Sequence, residues 1–326
     1  MTKTPLLPRL GRRLRSGALQ NVLLLGLLVL IVLFQLTTGV FLNPANIRGI
    51  LLDSAVLLIV AVPASLLLIS GFVDLSIGSV LGLGGVTTAL LLTTTTLPPL
   101  IAVLVGVAAG AAIGLLNATL ITVLKLSPLI VTLGTLSLAY GVTRGVSSLP
   151  LSGFPPEFRV LGGSLIAGIP LPVIIAVVIA IAGWIFATRT PAGRHVYAVG
   201  ANPSAAYLSG LRVRLIPFTL YVVVAAAAAF GGIVSASRLG SASPGTLGVG
   251  FEITVLTALL LGGVNFAGGS GSVIGVVIGV LFLGVLRNGL TLIGIPDFWQ
   301  DIATGAVLVF AAGLNYLNAR RLSARH

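Results

Sequence analysis

Cysteine is absent, and histidine occurs only at His195 and His326. That excludes thiol catalysis, disulfides, iron–sulfur clusters and any metal site built from His and Cys. Lysine occurs only at Lys3 and Lys125. A phosphate loop of the form G-x-x-x-x-G-K-[ST] needs a lysine behind glycine, whereas Lys125 sits in Leu124-Lys125-Leu126. The chain therefore hydrolyses no nucleotide by itself, and it carries no motif for a bound cofactor or metal. Charged residues make up 7% of the chain, against roughly a quarter in a soluble domain. Aromatic residues make up 6% and the arginines lie between apolar runs, so there is no basic recognition helix and no stacking platform. Nucleic acid is not an expected partner.

What is present is apolar: 57% hydrophobic residues and 42 glycines, with a mean hydropathy of +1.18. These values define an integral membrane protein whose partner is the lipid bilayer, and the net charge of +12 reads as topology. A helical span needs roughly 17–25 apolar residues. Segments near 18–38, 46–70, 74–92, 99–124, 128–147, 170–188, 216–236, 251–266, 270–290 and 299–319 qualify. The expected fold is all-α and polytopic, with about ten transmembrane helices. The first apolar run lacks an A-x-A cleavage site and reads as an uncleaved span.

With the N-terminus cytoplasmic, alternation places Lys3, Arg9, Arg12, Arg13, Arg15, Lys125, Arg189, Arg194, Arg212, Arg214, Arg320, Arg321 and Arg325 inside. Arg48, Arg144, Arg159, Arg238 and Arg287 fall outside, with Glu157, Glu252, Asp297 and Asp301 on or near the outer side. This satisfies the rule that short basic loops stay cytoplasmic. The chain divides into a basic cytoplasmic tail (1–17), a membrane body (18–319) and a cytoplasmic C-terminal tail (320–326). The Pro-rich stretch 148–168 is an outer loop. Gly78-Ser79-Val80-Leu81-Gly82 echoes Gly271-Ser272-Val273-Ile274-Gly275, a faint trace of the internal repeats found in transporters.

The longest polar segment between spans is Arg189–Leu215, with four arginines. Within it Asn202-Pro203 opens, and Gly210 closes, a short helix. Asn accepts a backbone N–H, Pro fits the first turn, and Gly takes the left-handed stop. So short a helix does not persist alone in water and must pack against something; the alternative is an amphipathic loop lying on lipid headgroups.

Ionisable groups at membrane depth are costly and mark functional sites, but Asp53, Asp74 and Glu252 are too few for a proton relay. Asp74 reads either as the N-cap of the third span or as a substrate or ion contact. Ser76, Asn117, Thr132, Asn265 and Asn288 either line a pathway or hydrogen-bond neighbouring helices together. Asp53 reads as a satisfied interfacial carboxylate. The outer charges Arg48, Glu157, Arg159, Arg238, Glu252, Arg287, Asp297 and Asp301 are candidates for docking an external protein, or solvated loop charges.

Four ordered motifs carry a resemblance. Gly71-Phe72-Val73-Asp74-Leu75-Ser76-Ile77-Gly78-Ser79 fits G-x-x-D-[LI]-S-x-G-S, and Leu129-Ile130-Val131-Thr132-Leu133-Gly134-Thr135 fits L-I-V-T-L-G-T. Gly193, Arg194, Ala198, Gly200, Asn202, Ala205, Ala206 and Gly210 fit G-R-x-x-x-A-x-G-x-N-x-x-A-A-x-x-x-G. Leu261-Gly262-Gly263, Gly268-Gly269, Gly271 and Gly275 fit L-G-G-x-x-x-x-G-G-x-G-x-x-x-G. From about residue 20 to 318 the chain resembles the permease subunits of bacterial ATP-binding-cassette importers for monosaccharides and autoinducer-2, related to branched-chain amino-acid permeases.

The resemblance implies a subunit of the bacterial cytoplasmic membrane that pairs with a second permease subunit. Below it would dock a cytoplasmic ATPase, where ATP and Mg²⁺ bind; above it would sit an extracytoplasmic sugar-binding protein. It makes 189–215 the ATPase-coupling segment, carried by Gly193, Arg194, Gly200, Asn202, Pro203, Ala205, Ala206 and Gly210. The acidic residue of the EAA loop in many wider relatives is absent here. The alternatives are a gradient-driven carrier and a branched-chain amino-acid cassette permease.

Overall fold

The computed structural model describes residues 7–323, with side chains from Gln20 to Gly313. Residues 1–6, with Lys3, and 324–326, with Arg325 and His326, lie outside the described residues. So do the side chains of Arg9, Arg12, Arg13 and Arg15, so most of the two expected basic tails goes undescribed. Thirteen α-helices follow in chain order: α1 (Leu7–Thr38), α2 (Pro44–Ile69), α3 (Ile77–Thr94), α4 (Pro99–Ala118), α5 (Pro128–Val146), α6 (Pro156–Gly163), α7 (Leu171–Arg189), α8 (Pro191–Ala201), α9 (Pro203–Leu208), α10 (Leu215–Leu239), α11 (Phe251–Leu261), α12 (Val273–Leu292) and α13 (Asp297–Ser323). Four two-residue strands interrupt the all-helical pattern: β1 (Leu151–Ser152), β2 (Leu165–Ile166), β3 (Ile169–Pro170) and β4 (Ser241–Ala242). β1 pairs with β4, and β2 with β3.

Each of the ten expected spans contains a helix, and among the described residues eight helices are long and apolar enough to cross a membrane. Proline opens α2, α4, α5, α8 and α9, where its missing N–H and fixed φ suit the first turn. Asn43 caps α2 by accepting from the Ala45 N–H at 2.9 Å. The segment 251–266, expected to span, does not: α11 has 11 residues, about 16 Å of helix against a hydrocarbon core of about 30 Å. Gly263, at φ 81°, ends it in the left-handed region. α11 is a half-helix.

The core forms where small residues let backbones approach. α10 is wrapped by α2, α3 and α4, and a side chain at Gly84, Gly110 or Gly114 would strike Ala225 or Ala229 of α10. Such small-residue seams are how helices associate without a hydrophobic force between them. α1, α4, α5 and α7 form the rim, showing apolar side chains such as Leu25, Val29, Leu104, Ile130 and Val178 outward. α4 ends in a single π-helical turn, Thr119–Val123.

Two irregular stretches meet inside this body. Residues 70–76 enter α3, and residues 243–250 enter α11. Gly78 backs onto the Gly248 carbonyl and the Glu252 carboxylate so closely that no side chain fits there. Glu252 is thus drawn in against the first turn of α3 and half-buried, contrary to its expected place among the outer docking charges. A carboxylate there meets the positive end of a helix.

Candidate functional site

α10 has 25 residues, about 37 Å of helix, and each of its ends leads to a distinct site. Near Leu239 lies a cavity of about 480 Å³ walled by α2, α3, α10, α11, α12, α13 and the stretch before α11, within the roughly 300–1,000 Å³ range of small-molecule sites. Asp53 and Ser54 of α2, Ser235 and Arg238 of α10, Thr254 of α11, Arg287, Asn288 and Thr291 of α12 and Gln300 of α13 supply its polar lining. Phe251 and Thr254 belong to the start of α11, so the half-helix begins at the cavity wall.

Most of this lining is already satisfied within the protein. Arg238 pairs with Asp53 at 2.6 Å, and Arg287 with Asp301 at 3.0 Å. Asn288 exchanges two hydrogen bonds with Asn46, each 2.9 Å. Gln300 donates to Thr291 Oγ1 at 3.0 Å. Three of the expected docking charges, Arg238, Arg287 and Asp301, are therefore held in ion pairs at the cavity. Each carboxylate lies on a different helix from its arginine, which is why single-chain pattern could not join them.

Asp74, Ser76 and Asn117 come together in a buried relay, and none of them lines the cavity. Thr135 Oγ1 donates to Asn117 Oδ1 at 2.8 Å, Asn117 Nδ2 to Ser76 Oγ at 3.0 Å, and Ser76 Oγ to Asp74 Oδ1 at 2.6 Å. This ties α5, α4 and the entry to α3. The capping expectation for Asp74 is corrected: α3 begins at Ile77 behind Ser76, and Asp74 instead accepts from the Ser76 N–H at 2.8 Å in the turn before the helix. Tyr221 clamps the same turn by donating to the Val73 carbonyl at 3.0 Å. Thr132 stays out of the relay and donates to the Pro128 carbonyl at 2.8 Å. Asn265 accepts from the Ala267 N–H at 3.1 Å in the turn after α11. Of the pathway candidates only Asn288 lines the large cavity.

At the other end of α10 stand α8 and α9. The sequence pattern showed one helix here; there are two, since Thr190 caps α8 through the Gly193 N–H at 3.0 Å. Gly193 packs on the Phe186 carbonyl and Gly200 on the Ile69 carbonyl and Gly269 N–H, leaving no room for a Cβ at either. Tyr197 donates to the Gly271 carbonyl at 3.2 Å, and burial pushes its hydroxyl above the usual tyrosine range, so it stays a donor. α8 is thereby fixed to the end of α2 and the turn before α12.

α9 carries the expected marks. Asn202 accepts from the Ala205 N–H at 2.9 Å, Pro203 opens the helix, and Gly210 closes it at φ 80°. Ala206 is buried, whereas Tyr207 is 68% and Leu208 86% exposed. Arg194, Arg212 and Arg214 are exposed around it. Tyr207 and Leu208 escaped notice in the sequence; the available signal was an apolar pair inside an otherwise polar segment.

A polytopic helical body with a solute-sized cavity at one end of its central helix, and a seated, capped helix at the other, defines a membrane permease. Residues 46–312 match the family described as branched-chain amino acid transport system / permease component, and the chain belongs to that family. It is 36% identical to the galactose/methyl galactoside import permease protein of Escherichia coli, covering 94% of this chain and 96% of the relative. It is 34% identical to the ribose import permease protein of Bacillus subtilis, covering 89% and 91%, and 33% identical to the D-allose transport system permease protein of E. coli, covering 89% and 90%. No solved structure matches the chain. The resemblance carried by the four motifs therefore holds: this is a multi-pass permease subunit of the bacterial cassette-importer type, a transport component without catalytic chemistry of its own.

Proposed function

We propose that this permease imports a monosaccharide or similar small polyol by alternating access, driven by a partner ATPase that binds ATP and Mg²⁺. The observation that carries the reading is α9, a capped helix held on a rigid seat with Tyr207 and Leu208 outward. Apolar side chains in that setting call for a protein surface, and the surrounding arginines favour an acidic one. The named sugars of the relatives support the cargo class. The α8–α9 end faces the cytosol in this reading, in line with the basic residues gathered there, and the cavity faces outward to receive solute from an extracytoplasmic binding protein. ATPase closure pushes α9, and α8 passes the displacement to the ends of α2 and α12. Two global states are thus biased from separate sites. A second permease subunit completes the translocator.

Reconstitution tests this. Liposomes holding the permease with its ATPase and binding protein are expected to accumulate sugar only with ATP. Accumulation by the permease alone under a proton or sodium gradient would overturn the reading.

A further inference from the structure

The corner of the cavity where α10 meets α2 carries polar groups that the protein leaves open. Ser235 of α10 lines the cavity, is half-buried, and its hydroxyl forms no hydrogen bond with the described residues. The unpaired hydroxyl of Ser54, also on the wall, is sealed by Gly284 of α12, whereas that of Ser235 keeps accessible surface. Arg238 follows three residues later on the same face of α10, and its Nη1 pairs with Asp53 Oδ1 of α2 at 2.6 Å. The two side chains stay 27% and 61% exposed. The pair uses one atom of each, so Nε and Nη2 of Arg238 and Oδ2 of Asp53 have no partner among the described residues.

These open groups differ in kind: the hydroxyl donates and accepts, the guanidinium edge donates, and the carboxylate oxygen accepts. Neighbouring hydroxyls on a sugar ring offer the complementary set. The rest of the wall suits the C–H face of such a ring, since Leu81, Leu247, Phe251 and Leu283 are apolar. Small-molecule sites combine apolar surface of this sort with a few placed polar groups. Arg238 and Arg287 are each matched by a carboxylate, Asp53 and Asp301, so an anion or a zwitterionic amino acid finds no unopposed charge in these pairs.

We propose that Ser235 is a specificity-determining residue of the cavity: its hydroxyl and the open edge of the Asp53–Arg238 pair exchange hydrogen bonds with two neighbouring hydroxyls of the sugar. This rests on the importer reading above. A cargo lacking the hydroxyl opposite Ser235 forfeits a hydrogen bond, which is how polar sites reject close analogues. Ser235→Ala removes that discrimination without breaking a hydrogen bond inside the protein.

The test uses the full permease, co-reconstituted with its ATPase and binding protein, as wild type, Ser235→Ala and Ser235→Thr. ATP-driven uptake of radiolabelled D-galactose, D-ribose and D-allose is measured, then uptake of the monodeoxy analogues of whichever sugar accumulates. The binding protein's own preference is common to all three forms and cancels when analogue-to-parent ratios are compared. At one deoxy position that ratio is expected to be about fivefold lower in wild type and Ser235→Thr than in Ser235→Ala, the scale of one lost hydrogen bond. Ratios that Ser235→Ala leaves unchanged at every position, or a loss of all uptake alike, overturn the role of Ser235 and leave the importer reading standing. If wild type accumulates none of the three sugars with ATP, the importer reading fails and this proposal with it.

Discussion

At the Leu239 end of α10, polar side chains from five helices face a cavity, and most of them are held in ion pairs or hydrogen bonds within the protein. At the Leu215 end, α9 uses its polar groups on its own caps and leaves Tyr207 and Leu208 uncovered. The first arrangement suits a small hydroxylated molecule that enters, makes a few hydrogen bonds and leaves. The second suits a protein surface that stays. In the proposed reading the difference separates handling solute from receiving force along one helix, with the seat of α8 between α9 and the rest of the body.

The largest way to break this comparison is to unseat α8. Gly200→Val would drive a branched side chain into the Ile69 carbonyl and the Gly269 N–H, an overpacking of about 3 kcal/mol or more. A clear fall in melting temperature in detergent is expected, with loss of ATP-driven uptake; an unchanged melting temperature would show that the seat is not rigid. Next is Leu208→Asp. It removes an exposed apolar anchor, so the fold should melt as wild type while ATPase affinity falls about thirtyfold, from a loss of about 2 kcal/mol. Binding measured by co-purification or interferometry checks it.

Asn202→Ala sharpens the same end more gently. Losing the cap should destabilise α9 by about 1 kcal/mol and raise hydrogen exchange at Ala205 and Ala206, with the rest of the protein unaffected. The smallest effect belongs to the cavity end. Asp53→Asn weakens a partly exposed ion pair with Arg238, worth at most about 1 kcal/mol, so stability should hardly move. Because the carboxylate no longer neutralises Arg238, the variant should instead admit anionic solutes better, as competition by galacturonate against sugar uptake would reveal.

The sequence made much of this legible where the chemistry is local. Apolar length placed a helix in every expected span, and Asn202, Pro203 and Gly210 marked both ends of α9 because caps are written in adjacent residues. What stayed hidden depends on packing register. α11 and α3 read as spans of similar apolar character, and the short length of α11 and the backbone contact of Gly78 with Gly248 set them apart only in the structure. Thr132 and Thr135 lie on nearby faces of α5, yet only Thr135 reaches Asn117. The echo between residues 78–82 and 271–275 behaves likewise. Both stretches lie at helix starts, but Ser272 caps α12 through the Gly275 N–H whereas α3 is preceded by Ser76, so their turns are not equivalent.

Because the chain has no native cysteine, two single substitutions test the separation directly. Ser204→Cys on α9 and Ser235→Cys in the cavity wall can each be exposed to a membrane-impermeant maleimide from either side of sealed, oriented vesicles. The cysteine at 204 is expected to label only from the cytosolic side, with protection and crosslinking when the ATPase is bound, and the cysteine at 235 only from the opposite side. Labelling of both from the same side, or a position 204 indifferent to the ATPase, would contradict the account.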